Sequence, residues 1–356
     1  MQPPLKEPAP LGEQPRPRMG ARAITAINQY RSVLVLVAMF LVAAWLSHHK
    51  LAPRAPIFSS ENPFLSPRNL VQIISQNAMI GILAVGSTFV ILTAGIDLSV
   101  GSVMLCAGVV AAGLLKAGHA GVGLVILACL GIGAGLGLLN GLMVARLRLP
   151  PFIATLAMMV GAISIGQLYS GGSPIIVGNR MPASFQAFDA FLFKPQGGGS
   201  GGFPGIPVSG LIFFAVAITA HIVLKRTRYG RYVYALGGGP EALRLSGVNT
   251  RFIEASVYVI AGLLAGVAAL IYTARLQSGQ ALYGSNLELD AIAAVVIGGA
   301  SLFGGIGTIG GTIVGVLFVG ILINVMQLTN VDPYVQGGLR ALAIILGVLI
   351  QTRRKD

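Results

Sequence analysis

The chain has 356 residues, of which 54% are hydrophobic and only 10% charged, and it carries a formal net charge of +13. A soluble domain carries about 25% charged residues, so this chain has too little polar surface to cover a water-facing fold. No zinc-ligand spacing or aromatic-rich RNA motif accompanies the positive excess, which argues against nucleic acid and for lipid, since cytoplasmic loops of membrane proteins collect Lys and Arg.

Residues 1–22 are rich in proline and charge and cannot bury enough apolar surface to order, so 1–30 are expected to form a disordered cytoplasmic tail. The first apolar run is Val33 to Trp45. The long region before it and SHHKLAP after it fit a cleaved signal badly, which makes it a retained span. A helix crosses the hydrocarbon core with roughly 20 apolar residues. Runs of that kind recur at 31–49, 70–93, 99–115, 121–145, 152–169, 208–224, 254–273, 289–302, 308–328 and 336–351. The third and eighth are short and begin beside an acid, so broken or half-buried helices fit them as well as full crossings. The expected fold is all-α: a polytopic transmembrane helical bundle of about ten spans over 31–351. A short cytoplasmic tail, 352–356, follows.

The positive charges orient this layout. With the N-terminus inside, Arg16, Arg18, Arg22 and Arg31 are cytoplasmic, as are Arg353, Arg354 and Lys355 at the other end. The loop with Arg146 and Arg148 and the loop with Lys225, Arg226, Arg228, Arg231, Arg244 and Arg251 also fall inside. The longest outside loop, 170–207, holds only Arg180 and Lys194. The first outside loop is discordant, with Lys50, Arg54 and Arg68. GGGSGG at 197–202 reads as a flexible connector.

The halves, about 31–206 and 207–351, are alike in outline. In the first, a helix ends at TAGIDLSVGS, and a Gly-rich helix with Asn140 and the turn PPFIATL follow. In the second, ELDAIAAVVIGG precedes a Gly-rich helix with Asn324 and then DPYVQGGLRAL. An odd number of spans per half predicts two inverted five-helix repeats, with a transport path at their interface. Small residues spaced four apart, such as Gly131–Gly135 and Gly311–Gly315, predict close helix packing. Cys106 and Cys129 lie in apolar runs and read as small core hydrophobes, not a disulfide. His48 and His49, adjacent in sequence, do not share a helix face and make a poor metal pair; no metal site is expected.

The loop 225–253 carries KRTRYGRYVYALGGGPEALRLSGVNTR. An extended stretch ending at Gly239 is expected to lead into a helix of about two turns. Pro240 suits the first helical position, Glu241 the positive end of the helix dipole, and Gly247 a left-handed C-cap. Ala242, Leu243 and Leu245 would give an apolar face. Docking into a partner's groove and packing on the membrane surface both fit this helix.

Glu241-Ala242 with Gly247 resembles the Glu-Ala-Ala-x-x-x-Gly coupling motif of ABC importer permeases, with Leu243 in place of the second alanine. TAGIDLSVGSVM (93–104), LPPFIATL (149–156), TRYGRYVYALGG (227–238), EALRLSGVN (241–249) and ELDAIAAVVIGGASLFGG (288–305) resemble the ribose/xylose/arabinose-type sugar permease family, in the same order. The resemblance implies a permease in the inner membrane of a bacterium that imports a monosaccharide, a ribose-like pentose or related sugar or polyol. Its implied partners are an ABC ATPase subunit, a periplasmic sugar-binding protein and a second copy of itself. It also implies that Glu241, Ala242 and Gly247 couple the chain to the ATPase.

No G-x-x-x-x-G-K-[ST] phosphate loop occurs, and GGIGTIGGT at 304–312 has no lysine after it, so the chain is expected to bind no cofactor and to hydrolyse no ATP. An ion-coupled secondary transporter of a small polar solute is the rival, because Asp97, Glu288 and Asp290 lie at the repeat breaks. Helix N-capping accounts for the same acids. A membrane enzyme would need a catalytically spaced cluster of His, Asp or Ser, and none is seen. Gln76, Asn77, Asn140, Gln167 and Asn324 are polar groups within spans. They could line a sugar path or make interhelical hydrogen bonds.

Overall fold

A computed structural model describes residues 19–54, 56–59, 61–118, 120–193, 203–282 and 286–352. Most of the expected N-terminal tail, the GGGSGG connector and the last four residues lie outside the described residues. Helix α1 (Met19–Leu51) begins ahead of the expected span at 31, so residues 19–30 continue the helix rather than the tail.

Helices α2 (Pro67–Leu92), α3 (Val100–Ala117), α4 (Val122–Ala145) and α5 (Pro151–Ser170) follow. Ser66 caps α2, its hydroxyl accepting from Asn69 N at 3.3 Å, with Pro67 in the first turn. The segment after α5 then forms a cap of short pieces: β1 (Ile175–Ile176), α6 (Ala183–Gln186), β2 (Phe191–Leu192) and β3 (Ile206–Pro207). Next come α7 (Val208–Arg226), α8 (Arg228–Gly238), α9 (Pro240–Leu245) and α10 (Thr250–Leu276). The chain ends with β4 (Ser278–Gly279), α11 (Leu287–Ile297), α12 (Ile309–Leu328) and α13 (Pro333–Thr352).

Among the described residues, eight helices are long and apolar enough to cross a membrane: α1 to α5, α7, α10 and α12. The third expected span, α3, has 18 residues and is one of them. The eighth takes the broken-helix reading. Helix α11 has 11 residues, about 16 Å at 1.5 Å per residue against a core of about 30 Å. Gly279 and Glu288, on either side of the segment before it, both lie along α3. A side chain on Gly279 would meet Gly108 O at 2.6 Å, while Glu288 lies against Gly101, two turns nearer the start of α3. Ala281 of this segment is buried, and Gln167 Nε2 donates to its carbonyl at 3.4 Å. β1 pairs antiparallel with β4, tying this cap to the segment after α10.

The core sits on α2 and α10. Their most apolar windows are 83% and 78% buried, against 22% for α4. α10 packs on α4, α3 and α2; α2 packs on α12, α11 and α7. The α4–α10 seam is glycine-built: Gly133 meets Gly262 backbone to backbone, Gly137 meets Tyr258, and Gly141 would place a Cβ 2.8 Å from Ala255 Cα. The expected Gly131–Gly135 pair is not this seam; both face open space, on the side of α4 away from α10. Gly311 and Gly315 do pack, on Gly298 and Ala294 of the α11 side. Cys106 and Cys129 are buried in the core and free.

α2 and α10 run antiparallel. Arg275, near the end of α10, donates to Ser75 O near the start of α2 at 2.9 Å. Gly86, late in α2, would place a Cβ 3.0 Å from Ala261 Cα, early in α10.

Candidate functional site

The loop between α7 and α10 is helical almost throughout. The stretch before Gly239, expected to be extended, is helix α8, and the local chemistry explains it. Thr227 caps α8 by accepting from Gly230 N at 3.1 Å, and Gly230 lets the helix turn against the Leu224 backbone. Val233 and Leu236 face inward, while Arg228 and Arg231 sit on the exposed side. Two tyrosines pin the helix to the bundle. Tyr229 Oη lies 2.7 Å from Ser256 Oγ, and Tyr234 Oη donates to Gly307 O at 2.8 Å. Burial pushes the Tyr234 hydroxyl above its ordinary range, so it remains a protonated donor.

α9 has the expected frame. Pro240 opens it, Glu241 lies in its first turn, and Gly247 adopts φ 83° after it. Its faces differ from the expectation. Leu243 alone points inward, whereas Ala242 is exposed and Leu245 is 81% exposed. In so short a helix one inward residue suffices as an anchor, and Ser246 Oγ reinforces it by donating to Leu243 O at 2.7 Å. Glu241 pairs with Arg244 at 2.9 Å, an exposed pair that contributes little. An apolar leucine and an alanine are thus presented outward on a fixed helix.

A glycine junction joins this unit to the bundle. Gly305 N donates to Leu92 O, at the end of α2, at 2.9 Å. Gly237 sits so close that a Cβ would meet both Leu92 O and Gly305 N, and Gly304 Cα at 3.0 Å. Gly304 and Gly305 have φ 83° and 73°, a conformation that glycine adopts at no steric cost. The run GGIGTIGGT therefore makes this junction and then the cap of α12, where Thr308 Oγ1 accepts from Gly311 N at 3.0 Å.

The acids are placed as follows. Asp97 is buried in the break between α2 and α3, where Oδ1 accepts from Ser99 N at 2.8 Å and Ser99 Oγ at 2.6 Å. The residue at the N-cap position of α3 is Ser99, not Asp97, so Asp97 holds the capping residue rather than the helix end itself. Ser99 Oγ in turn accepts from Asn140 Nδ2 at 2.7 Å. Thr155 Oγ1 donates to Ile96 O at 3.2 Å, so α4 and α5 both fasten this break. Glu288 and Asp290 occupy the first turn of α11; Asp290 Oδ2 lies 3.5 Å from Arg340 Nη1 of α13. Asp97→Asn is expected to keep both bonds to Ser99 and leave the melting temperature of purified protein within a few degrees. Asp97→Ala should lower it clearly, because Ser99 then loses a buried partner at about 1–3 kcal/mol. Equal melting of both variants would count against this placement.

The expected path residues do not converge. Asn140 joins Asp97 through Ser99. Asn324 exchanges two hydrogen bonds with Asn69, of 2.8 and 3.0 Å, tying α12 to α2. Asn77 Nδ2 donates to Ile73 O on its own helix at 2.8 Å and packs against Gly320. Gln167 meets the Ala281 backbone, and Gln76 is exposed, with its carbonyl accepting from Arg275 at 3.4 Å. Sequence reasoning missed the partly buried Arg275–Asp189 pair at 2.6 Å, which fastens the cap after α5 to α10. It also missed Tyr258, fully buried beside Gly95 of the α2–α3 break. Nothing in a linear pattern marks either one, since each partner comes from a distant segment.

A family model for the permease component of branched-chain amino acid transport systems matches residues 69–349. The chain belongs to this family. The ribose import permease protein of Escherichia coli strain K12 is 40% identical over 321 residues, covering 89% of this chain and 97% of that permease. That of Haemophilus influenzae is 43% identical over 294 residues, 82% of this chain and 88% of the relative. The fructose import permease protein of Rhizobium meliloti is 37% identical, over 81% of this chain and 78% of the relative. No solved structure matches the chain significantly. This permease is thus a multi-pass inner-membrane transport component and not an enzyme. The ion-coupled reading gains no support from these relatives, and Asp97 and Asp290 each have a partner within the chain.

Proposed function

We propose that this permease carries a monosaccharide, a ribose-like pentose or a related sugar or polyol, into the cytoplasm. A second copy would complete the path, an ABC ATPase subunit would drive it, and a periplasmic sugar-binding protein would deliver the substrate. The observation that carries the reading is the match at 40% identity to a ribose import permease over 97% of its length. In this reading Glu241, Ala242 and Gly247 belong to the element that docks on the ATPase. The outward Ala242 and Leu245, with the glycine junction behind them, support that role: a movement of α9 reaches the end of α2 through backbone contacts rather than flexible side chains. The polar chain Asp97–Ser99–Asn140 is the best candidate along the path among the residues named.

The halves act as inverted repeats in this proposal. The antiparallel α2 and α10 are corresponding helices, each packed on the Gly-rich helix of the other half, α12 and α4. Both termini and the α8–α9 loop face the cytoplasm. Single cysteines at Gly238 and Ser173, in a background lacking Cys106 and Cys129, are expected to react with an impermeant thiol reagent only from inside and only from outside, respectively. Labelling of Gly238→Cys in intact cells would reverse the orientation.

The functional test is reconstitution of the chain with its ATPase and binding protein in proteoliposomes. Labelled ribose should accumulate only with ATP and the binding protein, and collapsing ion gradients should leave uptake unchanged. Uptake driven by a proton or sodium gradient without ATP would overturn the proposal.

A further inference from the structure

Beside the glycine seam, α4 and α10 leave a groove of about 820 Å³. Its wall is apolar, with Leu138 and Leu142 from α4 and Phe252 and Ile260 from α10. Phe252 is 64% exposed, so this apolar surface is open rather than packed within the chain. One end of the groove is rimmed by Arg146, at the end of α4, Arg251, at the start of α10, and Arg244 of α9. No acid lines it. Arg244 is paired with Glu241, but Arg146 and Arg251 have no acidic partner among the described residues. An adjoining cavity of about 620 Å³ contains Glu241 and Glu254 beside its arginines and is the poorer place for an anion.

We propose that the α4–α10 groove binds one anionic phospholipid. Its acyl chain lies along Leu138, Leu142 and Ile260, and its phosphate meets Arg146 and Arg251. The charge pattern selects this occupant: an apolar trough within two membrane spans, closed at one end by unpaired guanidinium groups, matches a molecule with a long apolar tail and a single anionic head. A soluble anion would leave the apolar wall uncovered, and a zwitterionic lipid would bring a cation of its own beside the arginines and leave the site with excess positive charge. Because Arg244 lies on α9, the bound headgroup touches the element assigned above to ATPase docking. The lipid site itself rests on the membrane spans and not on that assignment.

The test is native mass spectrometry of the full chain purified in detergent and titrated with phosphatidylglycerol or phosphatidylcholine. Wild type should retain one phosphatidylglycerol per chain and no phosphatidylcholine. Each basic side chain beside an anionic head is worth about fivefold, so R146Q/R251Q should weaken retention about 30-fold. R146K/R251K, which keeps the charge, should retain most of the binding, which separates loss of charge from loss of fold. Leu138→Trp fills the trough with every charge in place and should also weaken retention. Equal retention of the two lipids, or no change in R146Q/R251Q, overturns the proposal. So does displacement by millimolar inorganic phosphate with the Leu138→Trp variant unaffected, which would mark a simple anion site. A wild-type dimer that becomes monomeric on Leu138→Trp, with no lipid retained by either, would assign the groove to a second copy instead. The uptake assay above is separate, so failure of one leaves the other readable.

Discussion

Gly237→Val is expected to destabilise this permease by about 3 kcal/mol or more and to abolish ATP-driven uptake. A Cβ at this position would run into the Leu92 carbonyl and the Gly305 amide, both backbone atoms that cannot rotate aside. One of the three segments at the junction must move, and the Gly305 N to Leu92 O bond of 2.9 Å is the first to break. Membrane insertion should survive, because Gly237 lies in α8 and outside the eight spans. The neighbouring Gly238→Val is the control, since no atom lies within 4 Å of a Cβ there. Thermal melting in detergent together with uptake in proteoliposomes checks the pair. If both variants melt alike, the junction is not the constraint that its geometry indicates.

The second large effect is on coupling without an effect on stability. Leu245→Asp should leave melting unchanged, because the side chain is 81% exposed. Burying a leucine against a partner is worth about 1.5–3 kcal/mol, and a carboxylate in its place removes that and adds a desolvation cost. Retention of the ATPase subunit on copurification should therefore fall more than tenfold, with loss of stimulated hydrolysis. Gly247→Val should act similarly from behind. At φ 83° a β-branched residue is strained by roughly 1–2 kcal/mol, so α9 re-aims although there is open space around the position. Glu241→Lys places a cation at the positive end of α9 and releases Arg244, a change of about 1–2 kcal/mol. Wild-type hydrolysis and retention in all three variants would remove α8–α9 from the coupling path.

Much of this architecture was readable from composition and local pattern. Apolar length located eight of the ten expected spans among the described residues, because a helix that must satisfy every backbone group in lipid needs a nearly fixed number of apolar residues. Pro240, Glu241 and Gly247 marked α9 because caps and dipoles are decided within a few residues. The resemblance carried by short motifs matched the family that the whole chain belongs to. What failed was set at a distance. The eighth span, 289–302, proved short because α11 ends at Ile297, where Gly298 packs on the Gly311 backbone of α12 and Gly299 turns the chain at φ 101°. The α4 seam lies at Gly133, Gly137 and Gly141 rather than at Gly131 and Gly135. A glycine-rich helix offers several small-residue faces, and only the position of α10 chooses among them. The polar residues Asn77, Asn140, Gln167 and Asn324 were visible as polar, but their partners come from other helices or the backbone. Sequence determined which segments are long and apolar enough to cross a membrane and where α9 begins and ends. Tertiary structure alone decided which faces meet, because lipid and protein interior are equally apolar and packing, not hydrophobicity, selects the contact.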